Sequence, residues 1–395
     1  MTNRFEQLDS IRGLAAVSVF FSHIVSLLTL PTVTLLFSHS PLKLFVYGHA
    51  AVLLFFVLSG FVLSLPYLKG SQLSYKNFMV RRLCRVYIPY LIVIAVAMLA
   101  FHSLKPIYGL SDWISILSTG EFSPKVILEH IGLIGNYNTD RFNGVIWTLV
   151  HEMRVYLIFP LLALVIVRLN WMAALAVCAA LSLIGSVNNT LHWEPVNGFQ
   201  NSFSLTLHYC SLFIIGGLIA KHRTSLIGLY RRLPRLLKYG ALLTALVLYT
   251  YAVKATGLAG RMHLAFLGEQ LQDYVIVAAI VIFLTIALGS RKMIAFLTNK
   301  AVKFFGDISF SLYLWHLVLL IGLVHLLIGV LPMAVILLIL SAASVIVAWL
   351  SYRYIELPAI RLGKLLTTKR PTTKRLTANH ESPPPPVQPG LESAK

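Results

Sequence analysis

Long apolar runs separated by short polar breaks fill most of this chain. Ten of them can be drawn, near residues 11–30, 48–68, 86–104, 146–167, 171–187, 203–220, 239–254, 272–289, 308–330 and 333–354. A helix needs about 20 apolar residues to cross a hydrocarbon core, and runs of this length predict spans. The expected fold class is therefore all-α: a polytopic membrane helix bundle of about ten transmembrane helices. The breaks predict orientation. Basic residues follow the even runs: Lys69, Lys76, Arg81, Arg82 and Arg85; then Arg168; then Lys221, Arg223, Arg231, Arg232, Arg235 and Lys238; then Arg291, Lys292, Lys300 and Lys303. The opposite side carries only Lys43, Lys105, Lys125, Arg141, Lys254 and Arg261. Lysine and arginine collect on cytoplasmic loops, so both termini are expected in the cytoplasm, and the even span count, which puts them on one side, agrees.

The break from 105 to 145 is the longest on the outer side. Its mixed character, with Trp113, Glu121, Asn136, Asp140 and Asn143, suits a re-entrant or interfacial helix. From about 364 onward the chain turns Lys/Thr-rich and then Pro-rich, which cannot bury a core and predicts a disordered tail. The expected division is a membrane domain over residues 1–362 and a basic, Pro-rich cytoplasmic tail over 363–395. No internal repeat of the kind that builds inverted-repeat transporters is visible.

Composition sharpens this picture. Of 395 residues, 57% are hydrophobic and 12% charged, against about a quarter charged in soluble domains. The formal net charge of +19 would suggest nucleic acid in a soluble chain. Here the cytoplasmic loops account for it, and no nucleic-acid partner is expected. The three cysteines, Cys84, Cys178 and Cys210, have no metal-like spacing and imply no disulfide framework. No metal site is expected. The first apolar run has basic flanks and no small-residue cleavage site, so it reads as a retained span.

Polar residues inside these runs are the candidate chemistry, because ionisable groups at membrane depth are costly and usually functional. Arg12 and His23 lie eleven residues apart, on nearly one face of the first helix and roughly 16 Å apart along its axis. Asp9 either caps that helix or pairs with Arg12. Arg82 and Arg85, one turn apart, either clamp a phosphate or attract anionic headgroups. Glu152 and Tyr156 share a face near Trp147. His151 and Arg154 add charge to the same run, and Arg154, at i+2 from Glu152, must find separate partners. Ser309, Tyr313 and His316 recur at i, i+4 and i+7, a polar stripe that faces the bundle interior or a cavity and serves as interhelical hydrogen-bond glue or as a lining. The run Phe55 to Phe61, with Ser59 and Gly60, reads as close helix packing.

At these residues the chain resembles the acyltransferase-3 family of bacterial inner-membrane acyltransferases. The matches are ordered along the chain: Leu8-Asp9-Ser10-Ile11-Arg12-Gly13 with His23, Phe56-x-x-Ser59-Gly60-Phe61, Arg82-x-x-Arg85, Trp147-x-Leu149-x-x-Glu152-x-x-x-Tyr156, Gly306-x-x-Ser309-Phe310-x-x-Tyr313-x-x-His316 and Glu356-x-Pro358. Thr148 stands where the family usually has Ser, and Phe310 where it usually has Tyr. The resemblance is to the stand-alone form, without an esterase-like domain after the spans. It implies transfer of an acyl group, often acetyl, from cytoplasmic acyl-CoA to a hydroxyl of a glycan or other acceptor at the outer face of a bacterial inner membrane. Acyl-CoA would be a donor substrate, and no bound cofactor is implied. Arg12, Arg82 and Arg85 would bind the CoA phosphates. His23 would serve as general base or as an acyl carrier, with Glu152 and Asp9 in supporting catalytic roles. Trp147, Tyr156, Ser309, Tyr313 and His316 would line the substrate passage. A transporter or flippase for a lipid-linked sugar or small metabolite is the alternative, with the same charged residues forming a proton or substrate path.

Overall fold

A computed structural model describes residues 5–28, 36–37, 40–70, 74–102, 123–195 and 197–368. The expected elements at Trp113 and Glu121, and the tail beyond Thr368, lie outside the described residues. The described chain is helical, as the run lengths require. Its helices are α1 (Glu6–Leu27), α2 (Gly48–Leu68), α3 (Tyr75–Phe101), α4 (Pro124–Gly132), α5 (Trp147–Arg168), α6 (Trp171–Leu191), α7 (Phe203–Arg232), α8 (Arg235–Tyr251), α9 (Lys254–Arg261), α10 (Gly268–Gly289), α11 (Arg291–Leu297), α12 (Lys300–Leu327) and α13 (Met333–Thr367).

Among the described residues, nine helices are long and apolar enough to cross a membrane, and the bent pair α8–α9 makes a tenth, broken by 68°. The ends of α8 show that it crosses the bundle. Near its start, Lys238 Nζ donates to the Arg231 carbonyl at 3.1 Å. Near its other end, Tyr249 meets the Tyr47 ring edge-on. The ten expected runs thus all become helices, but their limits differ. The third helix begins at Tyr75, so Arg81, Arg82 and Arg85 lie on it rather than in a loop. It accommodates them through a wide π turn over Leu83–Tyr87. A second π turn, Tyr352–Glu356, lies within α13. Such turns re-aim side chains and frequently mark functional sites. The last helix continues to Thr367, whose hydroxyl accepts from Arg81 Nε at 2.7 Å. Both described ends of the chain therefore sit at one end of the bundle, called here the basic end.

Several pairs of helices approach backbone to backbone, and two of these crossings carry site residues. On α1 and α12, a Cβ placed on Gly13 would lie 2.4 Å from the Gly306 nitrogen, and one on Gly306 would lie 2.8 Å from the Asp9 carbonyl carbon. On α2 and α7, a Cβ on Gly60 would lie 2.1 Å from the Phe213 oxygen. In lipid, helices gain little from burying apolar surface, so small residues that permit close van der Waals packing set these crossings. Gly60→Val should therefore push α2 from α7 and lower the thermal unfolding midpoint in detergent, at a cost of about 1–3 kcal/mol or more. Gly322→Ala, where nothing lies within 4 Å, should leave the midpoint where it is. Equal midpoints for the two variants would refute this account of the crossing.

Candidate active site

The α1–α12 pair forms the spine of two cavities stacked along the bundle. The first, toward the basic end, is lined by Arg12, Arg82, Arg85, Glu152, Tyr156 and Ser309, among others. The second, toward the far end, is lined by His23, His49, Asp140, Trp147, Phe199 and Tyr313, among others. Tyr313 lines both and forms the partition. Its hydroxyl donates to the Val145 carbonyl at 3.0 Å and shares a 2.8 Å hydrogen bond with Thr148 Oγ1. The Thr148 hydroxyl thus fills the position where Ser is usual.

The sequence stripe on α12 runs along this two-chamber space. Ser309 lines the basic chamber and donates to the Gly306 carbonyl at 2.8 Å. Tyr313 divides the chambers. His316 is fully buried against His23, with ring centroids 5.3 Å apart. His316 Nδ1 lies 3.1 Å from the Leu312 carbonyl. Since a carbonyl only accepts, that nitrogen carries the proton and Nε2 carries the lone pair. Nε2 has no hydrogen-bond partner among the described residues. His23 is half-buried, its exposed part facing the far chamber.

In the basic chamber three guanidinium groups face one carboxylate. Glu152 Oε1 accepts from Ser59 Oγ at 3.2 Å and from the Tyr156 hydroxyl. Arg82 stacks near the rings of Phe78 and Tyr156, and its buried Nε has no hydrogen-bond partner among the described residues. Arg12 lies within electrostatic reach of Arg85, Asp9 and Glu152. A further carboxylate stands behind them: Glu356, in the second π turn, is buried, accepts from Ser311 Oγ at 2.9 Å and feels the charges of Arg85 and Arg12.

The structure thus brings Arg12, Arg82, Arg85, Glu152, Tyr156 and Ser309 into one chamber and His23 and Trp147 into the other. Glu152 stands among the arginines, because its position on α5 lies more than one turn below Trp147, on the basic side of the Tyr313 partition. Asp9 is not a cap. Helix α1 starts three residues earlier, at Glu6, so Asp9 falls in its first turns beside the backbone of Gly306. Gly60 packs as expected, but Phe55, Phe56 and Ser59 line the basic chamber.

His151 and Arg154 hold loops together. Arg154 donates to the carbonyls of Ile134, Gly135, Asn201 and Ser202 and to Thr206 Oγ1, at 2.7–3.1 Å. Buried His151 bonds Thr206 Oγ1 at 2.9 Å and the Gln200 carbonyl at 2.7 Å. The separate partners that the i+2 spacing demanded are therefore backbone carbonyls of the far-end loops. In the same region Asp140 accepts from the Phe199 N–H at 3.0 Å. Burial raises its carboxyl above the usual range, and that N–H draws it part of the way back.

The ordered motifs and the two-chamber site agree with a sequence comparison, in which the family described as "Acyltransferase domain", acyltransferase-3, matches residues 5–353. The chain belongs to the acyltransferase-3 family. It is accordingly a multi-pass membrane acyltransferase. A relative from Acidianus two-tailed virus, named "Putative acetyltransferase ORF330", is 26% identical over 334 residues, covering 82% of this chain and 86% of the relative. No solved structure matches the chain.

The sequence reading of this acyltransferase missed His49, His208 and Asp273. Asp273 was visible as an ionisable residue at the head of an apolar run, which is a signal in itself. Its histidine partners come from helices far away in sequence, and only the fold reveals them. Among the described residues no group of three or more His, Cys, Asp or Glu side chains could hold a metal ion.

Proposed function

We propose that the protein moves an acyl group, acetyl by preference, from acyl-CoA to a hydroxyl of a cell-surface or lipid-linked glycan. It would do so across the inner membrane of a bacterial cell, with the basic end in the cytoplasm. The observation that carries this reading is the contrast between two chambers that share the Tyr313 wall. The basic chamber is narrow, about 90 Å³. It is lined by three arginines, one of which has a buried N–H with no partner among the described residues. Phosphates satisfy such groups with charge-assisted bonds, and a narrow space suits a linear arm. The far chamber is about 460 Å³, within the range of small-ligand sites. Among the described residues neither Lys nor Arg lines it, so it favours a neutral acceptor.

The reaction follows from this arrangement. Arg12, Arg82 and Arg85 hold the CoA phosphates at the mouth of the basic chamber, and the pantetheine arm threads inward past Ser309. The rise of roughly 16 Å from Arg12 to His23 is comparable to that arm, so the thioester arrives beside the imidazole once the Tyr313 partition moves aside. His23 takes the proton of the acceptor hydroxyl. The oxygen attacks the thioester carbonyl, the carbon–sulfur bond breaks, and the CoA thiolate leaves and takes up a proton. His316 packs its ring against that of His23 and holds its orientation. Glu152, held by Ser59 and Tyr156, balances the arginines between turnovers, since uncompensated charge at this depth is costly.

Purified protein given acetyl-labelled acetyl-CoA and a lipid-linked or surface glycan extract should place label on the glycan, with a mass increase of one acetyl group. Coupled movement of the glycan across vesicles with no consumption of acetyl-CoA would refute this reading in favour of a flippase.

A further inference from the structure

A third cavity adjoins the far chamber. His49 and Phe199 line both. This side pocket, about 340 Å³, lies between α7, α9 and α10 and is lined by Gln200, His208, Thr256, Glu269, Gln270 and Asp273, among others. Its walls carry hydrogen-bonding groups in an ordered chain. The buried Asp273 carboxylate accepts from His49 Nε2 at 2.6 Å and from His208 Nε2 at 3.1 Å. His208 Nδ1 lies 2.8 Å from Ser182 Oγ, which lies 2.5 Å from the Tyr274 hydroxyl. Each histidine donates its Nε2 proton to Asp273, His208 Nδ1 pairs with Ser182 Oγ, and the His49 ring stands at the junction of the two cavities.

The second observation is independent of that chain. Gln270 is 2% exposed and lines the side pocket, yet its buried Oε1 has no hydrogen-bond partner among the described residues. A buried amide oxygen without a donor costs free energy unless a ligand supplies one. Glu269 and Asp273 give the pocket acidic groups, and among the described residues no Lys or Arg lines it. Such a wall accepts hydrogen bonds from hydroxyls and repels phosphate and carboxylate. The exposed ring of Phe199 at the shared edge supplies an apolar face.

We infer that this side pocket is a binding subsite for a neutral sugar ring. Gln270, Glu269 and Asp273 receive its hydroxyls, and His49 is the positioning residue that hydrogen-bonds the hydroxyl nearest His23. The inference deepens the proposed acyl transfer and rests on it for the sugar's role, although the pocket's binding chemistry stands by itself. A lipid-linked or polymeric acceptor would place its neutral ring here and keep any phosphate outside.

The test uses saturation-transfer NMR on the full chain in detergent. The probes are methyl glycosides of glucose, galactose and mannose, with the 6-phosphates of the same glycosides for comparison. At least one neutral glycoside should bind and its 6-phosphate should bind more weakly. Gln270→Met and Asp273→Asn, each first shown to elute as a single species, should weaken the neutral glycoside about tenfold. Absence of binding by every neutral glycoside overturns the inference, as does equal binding by the 6-phosphate. If Asp273→Asn does not fold, Gln270→Met decides, and wild-type affinity in that variant overturns the inference. Consumption of labelled acetyl-CoA in the same preparations separates the two claims. A protein that consumes acetyl-CoA but binds no glycoside loses only the subsite. One that binds glycosides in a Gln270-dependent way but neither binds nor consumes acetyl-CoA keeps the subsite and loses the acyl-CoA reading.

Discussion

His23→Ala should lower acyl transfer by about 10²–10⁴-fold, the usual contribution of a positioned general base, while the KM for acyl-CoA changes little. The ring is placed for the role. It faces the far chamber and is backed by His316, whose Nδ1 proton is committed to the Leu312 carbonyl. Loss of the imidazole leaves the acceptor hydroxyl to ionise unaided, and hydroxyls resist that near neutrality. In the proposed reaction the phosphates bind roughly 16 Å away, so donor affinity should be spared. Transfer to glycan at the wild-type rate by purified His23→Ala would remove His23 from the chemistry altogether. Wild-type protein separates two routes. Wild type incubated with labelled acetyl-CoA and no acceptor should retain a protein-bound, hydroxylamine-labile label if His23 becomes acylated, and none if it acts only on protons.

The double replacement Arg82→Gln with Arg85→Gln should raise the KM for acyl-CoA by one to two orders of magnitude or more while the acceptor's KM stays near its starting value. Each hydrogen bond to a charged group contributes about 1.5–3 kcal/mol, and about 1.4 kcal/mol is a tenfold change. The two arginines line the same chamber as Arg12. The buried Nε of Arg82 already waits without a partner among the described residues. An unchanged KM would assign both arginines to lipid headgroups, the other reading that a basic run beside a membrane permits. The measurement should be made at low and high salt, because a phosphate clamp partly open to water weakens as salt rises.

Much of this molecule is legible in one dimension. Run length alone predicts the nine long apolar helices and the bent α8–α9 pair among the described residues, since a bilayer demands about 20 apolar residues from any helix. The i, i+4, i+7 spacing of Ser309, Tyr313 and His316 correctly predicts one inward-facing stripe, because helical periodicity depends on nothing outside the helix. Separate partners for Glu152 and Arg154 follow from the same local geometry. The ordered motifs carry the family as well.

Other features depend on which distant segments the bundle brings together. Helix limits shift at α3 and α13, where π turns and tertiary contacts carry helix beyond the apolar runs. No spacing in the chain reveals that Tyr313 divides two chambers, that Glu152 lies on the arginine side of it, or that Arg154 ties four loop carbonyls. The link of His49 to Asp273 joins residues 224 positions apart, and the Asp273–His208 link joins residues 65 apart. Local sequence sets what each helix is and which of its faces is polar. The backbone approach at Gly13–Gly306 and at Gly60–Phe213 sets which polar faces meet, and it is that meeting which turns scattered costly residues into a site.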